Sequence, residues 1–144
     1  MEREFNISPD EVESACQGEL PELVIHGLEL FNEGDYFDAH EELELAWRAE
    51  RGPVRELYRG ILQVAVAYYH LLRGNYPGAV KMFRRSRTWL GPFPGRCRGI
   101  DLAQFRIDYF RVEAELLRLG SERLELFDRR LMKPIYYTGR EDQE

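Results

Sequence analysis

From about residue 20 to residue 120, apolar side chains recur at steps of three and four, and the runs are separated by short breaks containing Gly or Pro. This is the signature of successive amphipathic helices, since residues three and four apart share one helical face. The first run predicts a helix over 21–32, with Leu23, Leu28, Leu30 and Phe31 facing inward and Gly34 ending it. Asp35 stands as N-cap for a second helix over 36–50, whose buried face is Tyr36, Ala39, Leu43, Ala46 and Trp47. Gly52-Pro53 breaks the pattern, and a third helix follows to residue 72, so densely apolar from Ile61 to Leu72 that it should be the central one. Asn75 caps a fourth helix reaching Leu90, with Val80, Phe83 and Leu90 inward. The Gly91-Pro92-Phe93-Pro94-Gly95 stretch is a loop, because neither proline continues a helix. Asp101, with Gln104 in capping-box position, opens a fifth helix carrying Leu102, Phe105, Tyr109, Val112, Leu116 and Leu119, and Gly120 stops it.

The flanks read differently. Residues 1–18 are acidic and aperiodic, a loose arm in which Pro9-Asp10-Glu11 can open a short helix. Residues 121–131 suggest a further short helix, and the chain from Lys133 reads as an extended tail. No stretch alternates long enough to predict a sheet. The expectation is one all-α domain over 1–144, a five- to six-helix bundle with its helical core at 20–120.

An internal repeat sharpens that picture. Gly34-Asp35-Tyr36 recurs forty residues later as Gly74-Asn75-Tyr76, each followed by Ala39 or Ala79, then Leu43 or Phe83, then Ala46 or Ser86. Gly27 and Ala67 supply small residues at matching positions upstream. The spacing is similar to tetratricopeptide helical hairpins, where small residues let two helices approach, although the forty-residue period exceeds the roughly thirty-four typical of that motif.

Composition narrows the class. With 144 residues, 44% apolar, the chain has material for one continuous core. A net charge of −6 argues against a general nucleic-acid binder. Cys16 and Cys97 are the only cysteines and lie far apart, so neither a disulfide framework nor a clustered zinc motif can be written, and a reducing compartment fits. Residues 1–14 have no basic stretch leading into an apolar one, so a secretory signal is not expected, and the run 61–72 is too short to span a bilayer. The reading is a cytoplasmic protein without a membrane partner.

Candidate chemistry gathers in one polar cluster. His40, Glu41 and Glu44 lie on the second helix, with His40 and Glu44 one turn apart, and Gln63 and His70 lie seven apart on the third. An antiparallel pairing of these helices sets His40 near Gln63, and Glu44 near Arg59 with Arg55 one turn away. Three readings are open. The first is an internal network, His40 to Gln63 and Glu44 to Arg55 or Arg59, that fixes the helix register. The second is a divalent transition-metal site using His40, Glu44 and His70. The third is acid/base catalysis, with Glu41 or Glu44 polarising His40 or His70. HEELE lacks the second histidine of HExxH, so the metalloprotease signature fails. Trp47, Tyr58, Tyr68 and Tyr69 read as packing aromatics.

Charge is segregated along the chain. Residues 1–50 hold 15 acidic and 2 basic side chains, and residues 51–100 hold 1 and 10. Intramolecular complementarity, association between subunits, and anion or RNA binding at Lys81, Arg84, Arg85, Arg87, Arg96 and Arg98 are the alternatives. The last lacks interleaved aromatics for base stacking.

FNEGDYFDAHEELELAW, RELYRGILQVAVAYYHLLRGNYPGA and a later GID together resemble the domain of unknown function 309 family over roughly residues 26–105. HE-x-x-E-x-x-W and Y-x-G-x-x-Q-x-A carry the likeness, placing His40, Glu41, Glu44, Trp47, Arg55, Tyr58, Gln63, His70, Asn75 and Gly78 at motif positions. The resemblance implies small helical microbial proteins, a helical bundle and no established activity. The functional expectation is therefore a non-enzymatic protein-interaction or self-association module, in a homo-oligomer or with a protein partner and without a cofactor. The alternative is a metal-dependent, hydrolase-like enzyme with a His/Glu site.

Overall fold

The computed structural model describes residues 7–138, and the six residues at each end lie outside it. Six α-helices carry the fold: α1 (Pro9–Ala15), α2 (Glu22–Asn32), α3 (Tyr36–Ala49), α4 (Arg55–Leu72), α5 (Tyr76–Leu90) and α6 (Leu102–Leu119). The molecule is all-α, as the periodicity predicts, with α2–α3 and α4–α5 forming the two helical hairpins.

The repeat is visible in the backbone. Gly34 and Gly74 take φ of 84° and 77°, where a side chain would be strained. After each, the chain makes the same closing bond, Asp35 N–H to Leu30 O at 2.9 Å and Asn75 N–H to His70 O at 2.8 Å. The copies differ at the cap. Asn75 accepts from Gly78 N–H, whereas the Asp35 side chain makes no capping bond, contrary to expectation. Small residues allow close helix approach. A Cβ at Gly27 would lie 2.7 Å from Leu43 Cγ, and one at Gly60 would lie 2.5 Å from Leu90 Cγ.

α6 closes one side of the hairpins. Leu102, Phe105, Tyr109, Val112, Leu116 and Leu119 are all buried, so the five-turn stripe read from the sequence is its core face. Tyr109 stacks on Phe83 of α5, and Phe105 meets Phe31 of α2 edge-on. Asp101 caps α6 by accepting from Gln104 N–H, but the Gln104 side chain reaches Asp108 Oδ1 instead of closing a capping box.

Three expectations are corrected. Cys16 and Cys97 form a disulfide, 81 residues apart in sequence but adjacent in space, so cysteine spacing no longer argues for a reducing compartment. The arm is not loose over its described part: a Ser8–Glu11 capping box starts α1, Val12 is buried, and the disulfide ties its end down. A two-residue hairpin, β1 (Arg96–Cys97) with β2 (Ile100–Asp101), also forms, and both turn residues, Arg98 and Gly99, have positive φ.

The C-terminal segment is docked rather than trailing over its described part, and residues 139–144 of the expected tail lie outside the described residues. Two 3₁₀ turns, Leu124–Leu126 and Arg129–Leu131, replace the short helix expected over 121–131. The Asn32 side chain then clamps Ile135 through both its backbone N–H and its carbonyl. Ile135 is 1% exposed, and Tyr137 bridges to Ile100.

Candidate functional site

α4 is buried on the side that carries Leu57, Ile61, Val64 and Tyr68, and only half buried along the stripe Arg55, Arg59, Gln63, Val66 and His70. That stripe runs between α3 and α5. Phe37 of α3 meets Tyr69 of α4 at 5.2 Å between ring centroids, which fixes the antiparallel register and brings Trp47 to the other end of α4.

There the side chains stack. The Trp47 ring lies under Arg55 at 4.6 Å and Arg59 at 4.9 Å, and Arg59 also covers Trp89 of α5 at 3.9 Å. One guanidinium thus joins three helices through two indoles. Arg59 is 3.4 Å from Glu56, and Arg55 Nε donates to Glu50 O at the α3–α4 turn. Trp47 Nε1–H, on the indole of this stack, and Gln63 Oε1, one turn along α4 from Arg59, are both buried and have no hydrogen-bond partner among the described residues. One is a donor and the other an acceptor. Left that way, each costs about 1–3 kcal/mol.

The internal network expected from the sequence does not form. Glu44 pairs with Arg48, one turn along its own helix, at 2.6 Å, because an i+4 guanidinium is closer than any on α4. Gln63 Oε1 has no hydrogen-bond partner among the described residues. His40 Nδ1 lies 2.7 Å from Phe37 O, and since a carbonyl only accepts, Nδ1 is the donor. Its Nε2 stands 3.9 Å from Glu44 Oε1, too far for a hydrogen bond. Glu41 is exposed beside them.

His70 is committed elsewhere. Asn75 Oδ1 is taken by Gly78 N–H, so Asn75 Nδ2 donates to His70 Nδ1 at 3.2 Å and leaves the proton on Nε2. A Cβ on Gly78 would come within 2.9 Å of the His70 ring, which places that ring against α5. Burial, with a smaller push from the Arg73 charge, holds its pKa below the ordinary value. Among the described residues no group of three or more His, Cys, Asp or Glu converges to hold a metal ion.

Tyr58 also leaves the cluster. It is fully buried on the opposite side, where its hydroxyl accepts from Arg98 at 3.1 Å, and burial raises its pKa despite that charge. Arg98 further binds the carbonyls of Ala15 and Glu19, so it clamps α1 beside the disulfide. The six basic candidates therefore divide. Lys81, Arg84, Arg85 and Arg96 are exposed, Arg87 pairs with Glu113, and Arg98 serves the core.

Along α3 the surface is recessed. A depression of about 440 Å³ is lined by His40, Glu41, Glu44, Leu45 and Arg48, and another of about 520 Å³ by Arg48, Glu50, Arg51 and Arg55. They share Arg48, and Phe37 and Leu45 stand exposed on the same helix. Sequence reasoning missed the roles of Arg48, Arg59 and Trp89. The four-residue spacing of Arg55, Arg59 and Gln63 was the available signal.

An uncharacterized protein of Aquifex aeolicus is 28% identical over 86 residues, which is 59% of this chain and 26% of that one. The uncharacterized protein YpuF of Bacillus subtilis is 42% identical over 53 residues, 36% of this chain and 30% of that one. The chain thus spans less than a third of the length of either relative. Residues 24–82, which run from α2 into α5 and hold the whole cluster from His40 to His70, match the family described as Domain of unknown function (DUF309), and over that span the resemblance read from the sequence holds.

Proposed function

We propose that this protein is a non-enzymatic protein-interaction module whose α3–α4 seam seats an extended segment of a partner polypeptide. The observation that carries the reading is the orphaned pair, the Trp47 indole N–H and the Gln63 amide oxygen. A peptide unit offers one carbonyl and one N–H, the complements of that donor and that acceptor. The adjoining recess supplies the exposed apolar Phe37 and Leu45 and a mixed-charge rim of Glu41, Glu44, Arg48 and Arg51. Side-chain shifts of Arg55 or Arg59 on the Trp47 ring open the pair to the partner, a scale of motion ordinary at interfaces.

A photo-crosslinking residue at Leu45, compared with one at Glu122, tests this in cells that make the protein. The expected result is one defined polypeptide adduct at position 45, absent at 122, and lost when Trp47→Phe and Gln63→Leu are combined. Metal analysis of untagged protein runs beside it. Stoichiometric zinc, iron or manganese lost on His40→Ala, with no adduct at 45, overturns the reading in favour of a metal-dependent enzyme.

A further inference from the structure

α6 is apolar on two faces. Its core face is accounted for above, but Ala103, Ile107, Phe110, Ala114 and Leu117 form a second stripe at alternating steps of four and three, and all five are exposed. Ile107 is 48% exposed, Phe110 42% and Leu117 51%. A helix needs one apolar face to fold onto its own core. A second, at heptad spacing, is the seam along which two helices pack. From Ala103 to Leu117 it runs about 21 Å at 1.5 Å per residue.

The sequence of this stripe is complementary to itself when reversed. Set antiparallel about a twofold axis at Val112, Ile107 of one copy meets Leu117 of the other, and Phe110 meets Ala114, so the large ring faces the small side chain twice. The charges on one flank agree. Arg111 of one copy comes within two residues' rise, about 3 Å, of level with Glu115 of the other, and the twofold axis repeats the pair. Glu115 already holds Arg118 at 2.5 Å, which fixes its carboxylate along that edge. A parallel arrangement in register instead stacks Phe110 on Phe110 and Arg111 on Arg111.

We infer that the outer face of α6 is a homodimer interface, closed by an antiparallel α6–α6 pair with Phe110 packed on Ala114 and Arg111 opposite Glu115 across the axis. It is a separate surface from the α3–α4 seam, so it stands or falls independently of the partner-binding reading.

Sedimentation equilibrium of the full chain, with charge exchange at the flank, tests it. The wild type is expected to be a dimer at micromolar concentration, with Arg111→Glu and Glu115→Arg each weakening association about tenfold or more. The double exchange restores affinity to within about threefold of wild type, because it re-forms the same two pairs with signs reversed. Leu117→Glu gives a monomer with an unchanged far-UV spectrum, since that side chain is already exposed. A chain that remains monomeric at about 100 µM overturns the inference. So does a dimer indifferent to Leu117→Glu, or one in which the double exchange is no tighter than the single variants.

Discussion

The Arg59 guanidinium lies 3.9 Å from the centre of the Trp89 ring and 4.9 Å from that of Trp47. These residues come from α4, α5 and α3, so a single side chain ties both hairpins together. A desolvated cation–π contact contributes roughly 1–2 kcal/mol. Arg59→Ala is therefore expected to lower the free energy of unfolding by about 1–2 kcal/mol in urea titrations. Arg59→Lys recovers only part of it, because an ammonium lacks the flat surface that two indoles can cover.

The disulfide acts on the unfolded chain as much as on the folded one. Joining residues 81 positions apart removes loop-closure entropy worth about 4 kcal/mol. Cys16→Ser, or wild type unfolded in reductant, should lose stability of about that size, measured by denaturant titration, with a lower midpoint and a steeper slope because the unlinked unfolded chain is less compact. The loss should first appear as faster amide exchange at α1 and the Arg98 turn, the two segments the bond connects.

Close helix approach predicts a cost for the smallest of changes. Gly27→Ala puts a methyl where Leu43, fully buried, already sits, and Gly60→Ala does the same against Leu90. Overpacking of this kind costs about 1–3 kcal/mol, so each variant should melt several degrees lower. The same change at Gly52, whose nearest neighbour is the end of the flexible Glu50 side chain, should be close to neutral.

His70 gives the fold a pH dependence of definite sign. Its folded-state pKa lies below the ordinary value of 6.5, through burial and then Arg73, so the unfolded chain takes up the proton first. This residue's contribution is complete above pH 6.5 and falls away as the pH drops through the folded pKa. Thermal unfolding between pH 7.5 and pH 5 should show that decline about the reference value near 6.5, and His70→Gln should flatten it.

Most of the architecture was legible because periodicity is a property of the chain itself. The stripe from Leu102 to Leu119, the turns at Gly34 and Gly74 and the Asn75 cap follow from spacing and residue type alone. Contacts across elements were not. Cys16 and Cys97 meet only because α1 folds against the β1–β2 turn, and nothing local to either cysteine signals that. For the polar cluster, helical spacing set His40 and Glu44 one turn apart, but rotamer choice decided the partners. Glu44 took the nearby Arg48, and Arg59 took the indoles. Tyr58 and His70 share α4 with Gln63 yet bond elsewhere: Tyr58 lies on the core side and meets Arg98, whereas His70, on Gln63's own stripe but two turns further along, meets Asn75.

The claim on which the partner-binding account rests is that the Gln63 amide oxygen is unused in the free protein. Replacing an unsatisfied buried polar group by an apolar one of similar shape removes a penalty, so Gln63→Leu is expected to leave the unfolding free energy unchanged or raise it by about 1 kcal/mol. Urea denaturation of Gln63→Leu beside wild type reads this directly. A loss of about 1–3 kcal/mol would mean that the oxygen already has an internal partner, and the seam would then be a structural network rather than a binding surface.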